Sequence, residues 1–371
     1  MKITVFVEDF GATGVVRNAI AIAGRLAEDG HEVTLLAAKP EGVLRETVPA
    51  GVATAALLEE DSSGERKAVM RRAFRPFREF VTKKKPDIVF SAGNHGHMLV
   101  LPGTWFLPCQ TIVRISNDLH HRGRTTDATA WKQWRRRLKF RTILTLADRV
   151  VLVSSKLLHQ VTALDPKLAR KAVVIANGVD LAMVEERARE AAPDSMFEGA
   201  PVVLAMGRLV RQKNFMTLLE ALAIARQSTD LRLVLIGKGP LRAELLAKAE
   251  NLGIAGAVSL IDPVTNPFPL MKHAAVVVLP SWWEGSSNVL LEAIASGTPV
   301  VASRTAGNAA EIVADDRYGL LVEPGSVEEL AAAILRQVGP DTVRPGDRAR
   351  AYDRTIALDA YAELVAGMAR T

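Results

Sequence analysis

Glu284 and Glu292 stand eight residues apart, on either side of the start of an apolar helix that follows a short strand. A helix start offers free backbone N–H groups and the positive end of a dipole, which suits a diphosphate. Eight residues at about 1.5 Å rise reach roughly 12 Å, comparable to a nucleotide sugar measured from ribose to hexose. Two carboxylates with Gly285, Ser286, Ser287 and Asn288 between them therefore form a ruler: Glu292 accepts from ribose hydroxyls and Glu284 from sugar hydroxyls. Taken alone, the pair reads more readily as two surface glutamates near a helix start. A second segment, Gly207-Arg208-Leu209-Val210-Arg211-Gln212-Lys213-Asn214, also follows a strand and precedes a helix. Arg208 and Lys213 there have the charge and placement to hold phosphate oxygens, against the alternative of a solvated loop. Cleaving a glycosyl phosphate builds negative charge on the leaving group, which fixed cations stabilise in the transition state. Gly237 and Gly239 bracket a third post-strand loop, weak as a fingerprint but in the right place.

These loops need strands behind them, and the sequence supplies two sets. Short β-branched runs alternate with helices of 3.6-residue period, the grammar of parallel α/β sheets. In the first half, strands are expected at 3–7, 31–36, 87–90, 111–115 and 150–153, with a helix carrying Val16, Ala19, Ile20, Ala23, Leu26 and Ala27 on one face. In the second half, strands are expected at 201–206, 231–236, 258–261, 275–279, 299–302 and 319–322. The turn Asn177-Gly178-Val179-Asp180 separates them. The expected organisation is a first domain over 1–180, a second over 181–346, and a helix over 347–371 crossing back to the first. Two doubly wound Rossmann-like domains would bring both sets of strand carboxyl ends to one central cleft, where ligands bind in this α/β architecture.

Composition narrows the function. The chain has 371 residues, is 49% apolar and carries a net charge of +6, as an ordinary two-domain globular protein does. No apolar run reaches the roughly 18–20 residues of a membrane span. The first residues turn acidic too soon for a signal peptide. Cys109 is the only cysteine, which excludes an intramolecular disulfide and a multi-cysteine metal site and points to a reducing cytoplasm. No Asp-x-Asp pair occurs, which argues against a divalent ion on the diphosphate and assigns that charge to Arg208, Lys213 and the helix N-terminus. No cofactor is implied.

The segment 206–302 resembles the retaining glycosyltransferases of family 4, which have the two-domain GT-B fold. The resemblance rests on Glu284 and Glu292, on Gly207, Arg208, Leu209, Lys213 and Asn214, on Gly30 to Val33 before a strand, on the 177–180 turn and on the closing helix. It covers essentially the whole chain, more strongly in the second half. It implies that Arg208 and Lys213 bind the donor diphosphate, Glu284 the transferred sugar and Glu292 the ribose, with Gly14 approaching the phosphates, accompanied by Gly11. It also implies retention, a UDP-hexose or UDP-N-acetylhexosamine donor, and a sugar, lipid-linked or small-molecule acceptor. One departure stands out. Where many family members have a histidine after the strand that is expected here at 111–115, this chain has Ser116-Asn117-Asp118-Leu119-His120-His121, so Asn117 takes that position and His120 is a substitute. His95 is an acceptor-side candidate, and His97 is expected to pack on the following helix.

Basic residues cluster at 66–85 and 132–141. Trp131, Trp134 and Leu138 share one helical face within the second cluster. The favoured reading is a core stripe with arginines reaching outward. The alternative is docking on an anionic membrane surface, in a protein that is cytoplasmic or peripheral on the inner face of the cell membrane. Nucleic-acid binding is not expected. Two other functions remain open: a GT-B sugar-nucleotide epimerase and a non-catalytic nucleotide-sugar-binding protein.

Overall fold

The computed structural model describes residues 1–59, 65–118, 130–192 and 194–369. The chain forms two units. Among the described residues, one comprises those within 1–118, 130–177 and 357–369, and the other those within 178–356. The division falls inside the 177–180 turn, and 346–356 stays with the second unit.

In the first unit, β1 (Lys2–Val7), β2 (Glu32–Ala37), β3 (Val52–Ala56), β4 (Ile88–Ser91), β5 (Gln110–Ile115), β6 (Arg149–Leu152) and β7 (Ala172–Val174) form a parallel sheet of order β3-β2-β1-β4-β5-β6-β7. Helix α1 (Gly14–Glu28) links β1 to β2, and α2 (Arg66–Lys84), α3 (His97–Thr104) and α4 (Ala130–Leu146) link β3 through β6 in turn. Because α1 leads one way across the sheet and the other three lead the opposite way, right-handed crossovers place α1 on one face and α2, α3 and α4 on the other. The cores agree. Val16, Ile20 and Leu26 of α1 pack with Tyr361 and Val365, whereas Val69 and Phe77 of α2 pack with Leu99 and Val100 of α3. Leu101 of α3 joins Ile143 and Leu144 of α4.

The closing element is two helices. A 3-10 segment, Gly346–Tyr352, ends at Asp353, whose extended backbone (ψ 140°) separates it from Arg354–Met368. The second of these belongs to the first unit from Ala357 onward. Its Tyr361 hydroxyl meets the guanidinium of Arg114 at 3.1 Å. Arg114 is buried inside β5, and two further donors go to the Ala92 carbonyl at 3.4 Å and to Asn177 Oδ1. An ion so enclosed is tolerable only with its N–H groups satisfied in this way.

In the second unit, β8 (Val202–Met206), β9 (Arg232–Ile236), β10 (Val258–Ile261), β11 (Val276–Leu279), β12 (Val300–Ser303) and β13 (Leu320–Val322) form a parallel sheet of order β10-β9-β8-β11-β12-β13. Strands buried on both faces read as continuous apolar runs, and Val276–Leu279 is fully buried for that reason.

One expectation fails. Trp131, Trp134 and Leu138 are exposed, not a core stripe. Among the described side chains of α4, the buried ones are Ile143 and Leu144, in its last turns, where the helix approaches β6. Helical spacing alone cannot tell an inward stripe from an outward one.

Candidate active site

In each sheet the strand order reverses once, between β1 and β4 in the first unit and between β8 and β11 in the second. At such a point the loops leaving neighbouring strands diverge and open a crevice at the carboxyl ends. The second unit places the β8 and β11 loops there. These are the Gly207–Asn214 and Glu284–Ser287 segments read from the sequence.

Lys213 Nζ lies 2.6 Å from Glu284 Oε1, with side-chain exposures of 14% and 12%. Ser281 Oγ donates to the same oxygen at 2.9 Å. Both contacts fall on Oε1, which leaves Oε2 to accept from another donor. Lys213 has three N–H donors and spends one here. Backbone bonds lock the two loops together: Trp282 N–H donates to the Gln212 carbonyl at 2.9 Å, and Gln212 Nε2 to the Trp283 carbonyl at 2.8 Å. Gly207 has φ +146°, and a Cβ on it would come within 2.9 Å of Lys213 Cε. Backbone conformation favours glycine there, and its bare Cα leaves room for the lysine stem. Arg208 is exposed and makes no side-chain hydrogen bond among the described residues.

The helix Asn288–Ala295 starts where expected, with Glu292 just over one turn inside it. Its cap residue, Ser287, does not cap: its Oγ donates to the Ala306 carbonyl at 2.7 Å, and its N–H donates to Asn308 Oδ1 at 3.2 Å. Ser286 Oγ, immediately before the helix, is buried with no hydrogen-bond partner. An unpaired buried hydroxyl is costly, and next to it the Ser287 side chain gives the helix no N-cap. The β12 loop braces this segment from the other side. Glu284 pairs with Ala306 in a short parallel bridge, Gly307 at φ +63° packs on Glu284 Cβ, and Thr305 Oγ1 donates to the Trp282 carbonyl at 2.7 Å.

Gly237 and Gly239 have a packing role. A Cβ at Gly237 would lie 2.0 Å from the Gly207 carbonyl oxygen, and one at Gly239 would lie 2.4 Å from the Leu209 carbonyl oxygen. Leu209 N–H donates to the Lys238 carbonyl at 2.8 Å, so the two loops lie flat against each other, backbone on backbone.

The switch point of the first unit carries its own charge cluster. Arg66 Nε donates to Glu8 Oε1 at 2.6 Å after β1, and its Nη1 meets His95 Nε2 at 3.0 Å after β4. Because a guanidinium only donates, Nε2 is the acceptor and the ring proton sits on Nδ1. Desolvation by the surrounding atoms, then the Arg66 charge, lowers the His95 pKa. Gly14 opens α1, with Thr13 as its N-cap accepting from Val16 N–H at 3.3 Å. Asn117 is exposed after β5, and the neighbouring Asp118 is buried, 3.2 Å from Lys156 Nζ. His120 lies outside the described residues.

His97 packs as expected. It is fully buried, with Nδ1 2.8 Å from Ser91 Oγ and Nε2 unpartnered. Desolvation pushes its pKa down to about 3. An unfolded histidine protonates near 6.5, so the unfolded chain binds more protons in this window. His97 therefore leaves stability intact above pH ~6.5 and erodes it as pH falls toward 3. Between about pH 6.5 and 4.5, the wild type should lose about 2 kcal/mol more than a His97→Gln variant in urea unfolding. Equal losses in both would contradict this assignment.

Sequence reasoning missed Ser281, Gln212, Thr305 and Asn308. The signal for the last two was available: Thr305-Ala306-Gly307-Asn308 follows a strand, as the other site loops do.

Comparison with known proteins agrees with this layout. The family model described as glycosyl transferases group 1 matches residues 200–339, and that described as Glycosyltransferase Family 4 matches 12–183. The chain is 33% identical over 192 residues, 51% of its length and 50% of the relative's, to N-acetylgalactosamine-N,N'-diacetylbacillosaminyl-diphospho-undecaprenol 4-alpha-N-acetylgalactosaminyltransferase of Campylobacter jejuni. It is 35% identical over 174 residues, 45% of its length and 50% of the relative's, to the lipopolysaccharide core biosynthesis glycosyltransferase LpsE of Rhizobium meliloti. These alignments span about half the length of each curated relative. Among solved structures, sucrose-phosphate synthase from Thermosynechococcus elongatus superposes with a TM-score of 0.81 at 20% identity, covering 99% of this chain and 100% of that one. Anabaena HepE in complex with UDP and glucose gives 0.78 at 19% identity, again covering 99% and 100%. At these identities the likeness shows the fold alone.

Proposed function

The chain belongs to glycosyltransferase family 4, the glycosyl transferases group 1, and on that premise we propose that it moves a hexose or N-acetylhexosamine from a UDP-sugar to an acceptor hydroxyl. The observation that carries this reading is the Lys213–Glu284 pair, 2.6 Å apart, beside an uncapped helix start. Lys213 keeps donors to spare for the diphosphate, and Arg208 adds a second cation from the same loop. The N–H groups opening the Asn288–Ala295 helix and the Ser286 hydroxyl add neutral donors. Glu284 Oε2 accepts from a hydroxyl of the transferred sugar, and Glu292 from the ribose. With the leaving diphosphate neutralised by protein cations, the transfer proceeds without a metal ion. The sequence places no carboxylate as a nucleophile, so the acceptor hydroxyl attacks the anomeric carbon from the face the phosphate leaves, giving its proton to the departing phosphate oxygen, with retention. In the first unit, His95 is assigned to the acceptor.

The names of the curated relatives support a lipid-linked acceptor in cell-surface polysaccharide or glycolipid synthesis. The test is to incubate the protein with UDP-N-acetylgalactosamine, UDP-N-acetylglucosamine or UDP-glucose and a synthetic lipid-diphosphate-linked sugar, following UDP release and the anomeric proton of the product by NMR. Acceptor-dependent UDP release with an α-linked product supports the proposal. A β-linked product would remove retention. Donor hydrolysis or epimerisation independent of acceptor would replace the transferase reading with the epimerase one, and binding without turnover would replace it with the non-catalytic one.

A further inference from the structure

Eight of the thirteen large apolar side chains that stand exposed among the described residues lie between Phe74 and Leu146. They fall on or beside α2, α3 and α4, three helices on one face of the first unit's sheet. Phe106, just after α3, is 88% exposed, and its ring stacks on Trp105 at 5.4 Å between centroids. Its backbone is left-handed, at φ +64°. A bulky residue rarely adopts that conformation, because Cβ crowds the chain. The fold thus holds an aromatic outward on a strained backbone. The Trp105 carbonyl is tied back to α2 by Arg78 Nη1 at 3.4 Å. On α4, Trp131 and Trp134 are 61% and 52% exposed and stack on each other at 4.9 Å, with Leu138 one turn further along.

Charge falls on the same layer. Helices α2, α3 and α4 together carry fourteen lysines and arginines and one acidic residue, Glu79. Exposed aromatics among arginines match the headgroup region of a bilayer. There indole rings bury their apolar bodies, and cations meet anionic lipid. Aliphatic Leu138 and Met98, also exposed here, gain nothing on a phosphate backbone but are buried favourably against acyl chains. No helix among the described residues is long and apolar enough to cross a membrane, so the contact is peripheral.

We propose that the outer face of the α2–α3–α4 layer docks this chain on an anionic lipid bilayer, with the Trp105–Phe106 and Trp131–Trp134 pairs entering the interface. This deepens the lipid-linked acceptor reading and rests on it for its purpose. It is tested without turnover, so the two can fail separately.

The experiment is flotation of the intact protein with vesicles of phosphatidylcholine, alone or mixed with phosphatidylglycerol, at low and high salt. Tryptophan fluorescence is recorded in parallel, and urea unfolding followed by circular dichroism reports the folding of every variant. The wild type should float with the anionic vesicles only, less at high salt, with a blue shift of emission. Trp131→Ser with Trp134→Ser should lower partitioning about tenfold or more with net charge unchanged. Trp105→Ser with Phe106→Ser should act in the same direction, and Arg135→Gln with Arg137→Gln should flatten the salt dependence. The proposal is overturned if the wild type stays in the aqueous phase at low salt, or if the double tryptophan variant partitions as the wild type does. Salt-sensitive binding to random duplex DNA without vesicle binding would overturn it in favour of nucleic acid.

Discussion

Lys213→Ala should lower transferase kcat/KM by about a thousandfold, the scale of removing one preorganised charge from a transition state. It should also cost folding stability. Glu284 would remain largely enclosed, with the Ser281 hydroxyl still donating to it, and stranding a carboxylate in this way costs roughly 1–3 kcal/mol. The two effects separate in a double-mutant cycle. Adding Glu284→Gln to Lys213→Ala removes the stranded charge, so urea unfolding should recover much of the lost stability. Activity should stay at the level of the worse single variant, because both side chains are assigned to the donor. A double variant that regains activity along with stability would show that the pair is structural only. Lys213→Arg should keep the charge but lose most of the rate, since the guanidinium cannot occupy the space beside Gly207 and Glu284 that the ammonium does.

Gly237→Ala should be the most destabilising conservative change in the second unit. The added methyl would sit 2.0 Å from the Gly207 carbonyl oxygen, and the obstacle is backbone, not a side chain that can turn away. Forced overpacking of this kind costs about 2–4 kcal/mol. Because Gly207 opens the loop carrying Arg208 and Lys213, UDP affinity should fall with it, by about tenfold or more if the loop moves by an ångström. Gly239→Ala, facing the Leu209 carbonyl oxygen at 2.4 Å, should behave likewise. Gly256→Ala is the internal control. Nothing lies within 4 Å of the place its added methyl would take, so removing glycine's freedom in the unfolded chain should leave stability equal or slightly higher. Chemical unfolding of the three variants checks the set, and equal stability of Gly237→Ala and Gly256→Ala would contradict it.

Much of this was legible in the sequence because parallel sheets write themselves as apolar runs. Val276–Leu279, Val202–Met206 and Val300–Ser303 are buried on both faces and could hardly be read otherwise. The two strands missed, Val52–Ala56 and Ala172–Val174, sit at the sheet edges, one built of small and half-exposed residues and the other only three residues long. Neither offers a period to detect. The charged residues of the donor loops were legible from their position after strands. Their pairings across loops were not, because Gln212 reaches Trp283 and Asn308 reaches Ser287 only through the strand order, and strand order is not a local property, whereas Ser281 meets Glu284 within one loop. The outward turn of Trp131 and Trp134 was hidden for a different reason. Helical spacing aligns them on one face but carries no sign, and the sign is set by where α4 meets β6.

The most direct test of the donor site is calorimetric titration of the wild type and Arg208→Ala with UDP, GDP and ADP. The donor-site assignment predicts that UDP binds the wild type, that GDP and ADP bind more weakly, and that Arg208→Ala loses about tenfold or more in UDP affinity while unfolding at the same urea concentration. Failure of all three nucleotides to bind, or UDP binding untouched by Arg208→Ala, would contradict it.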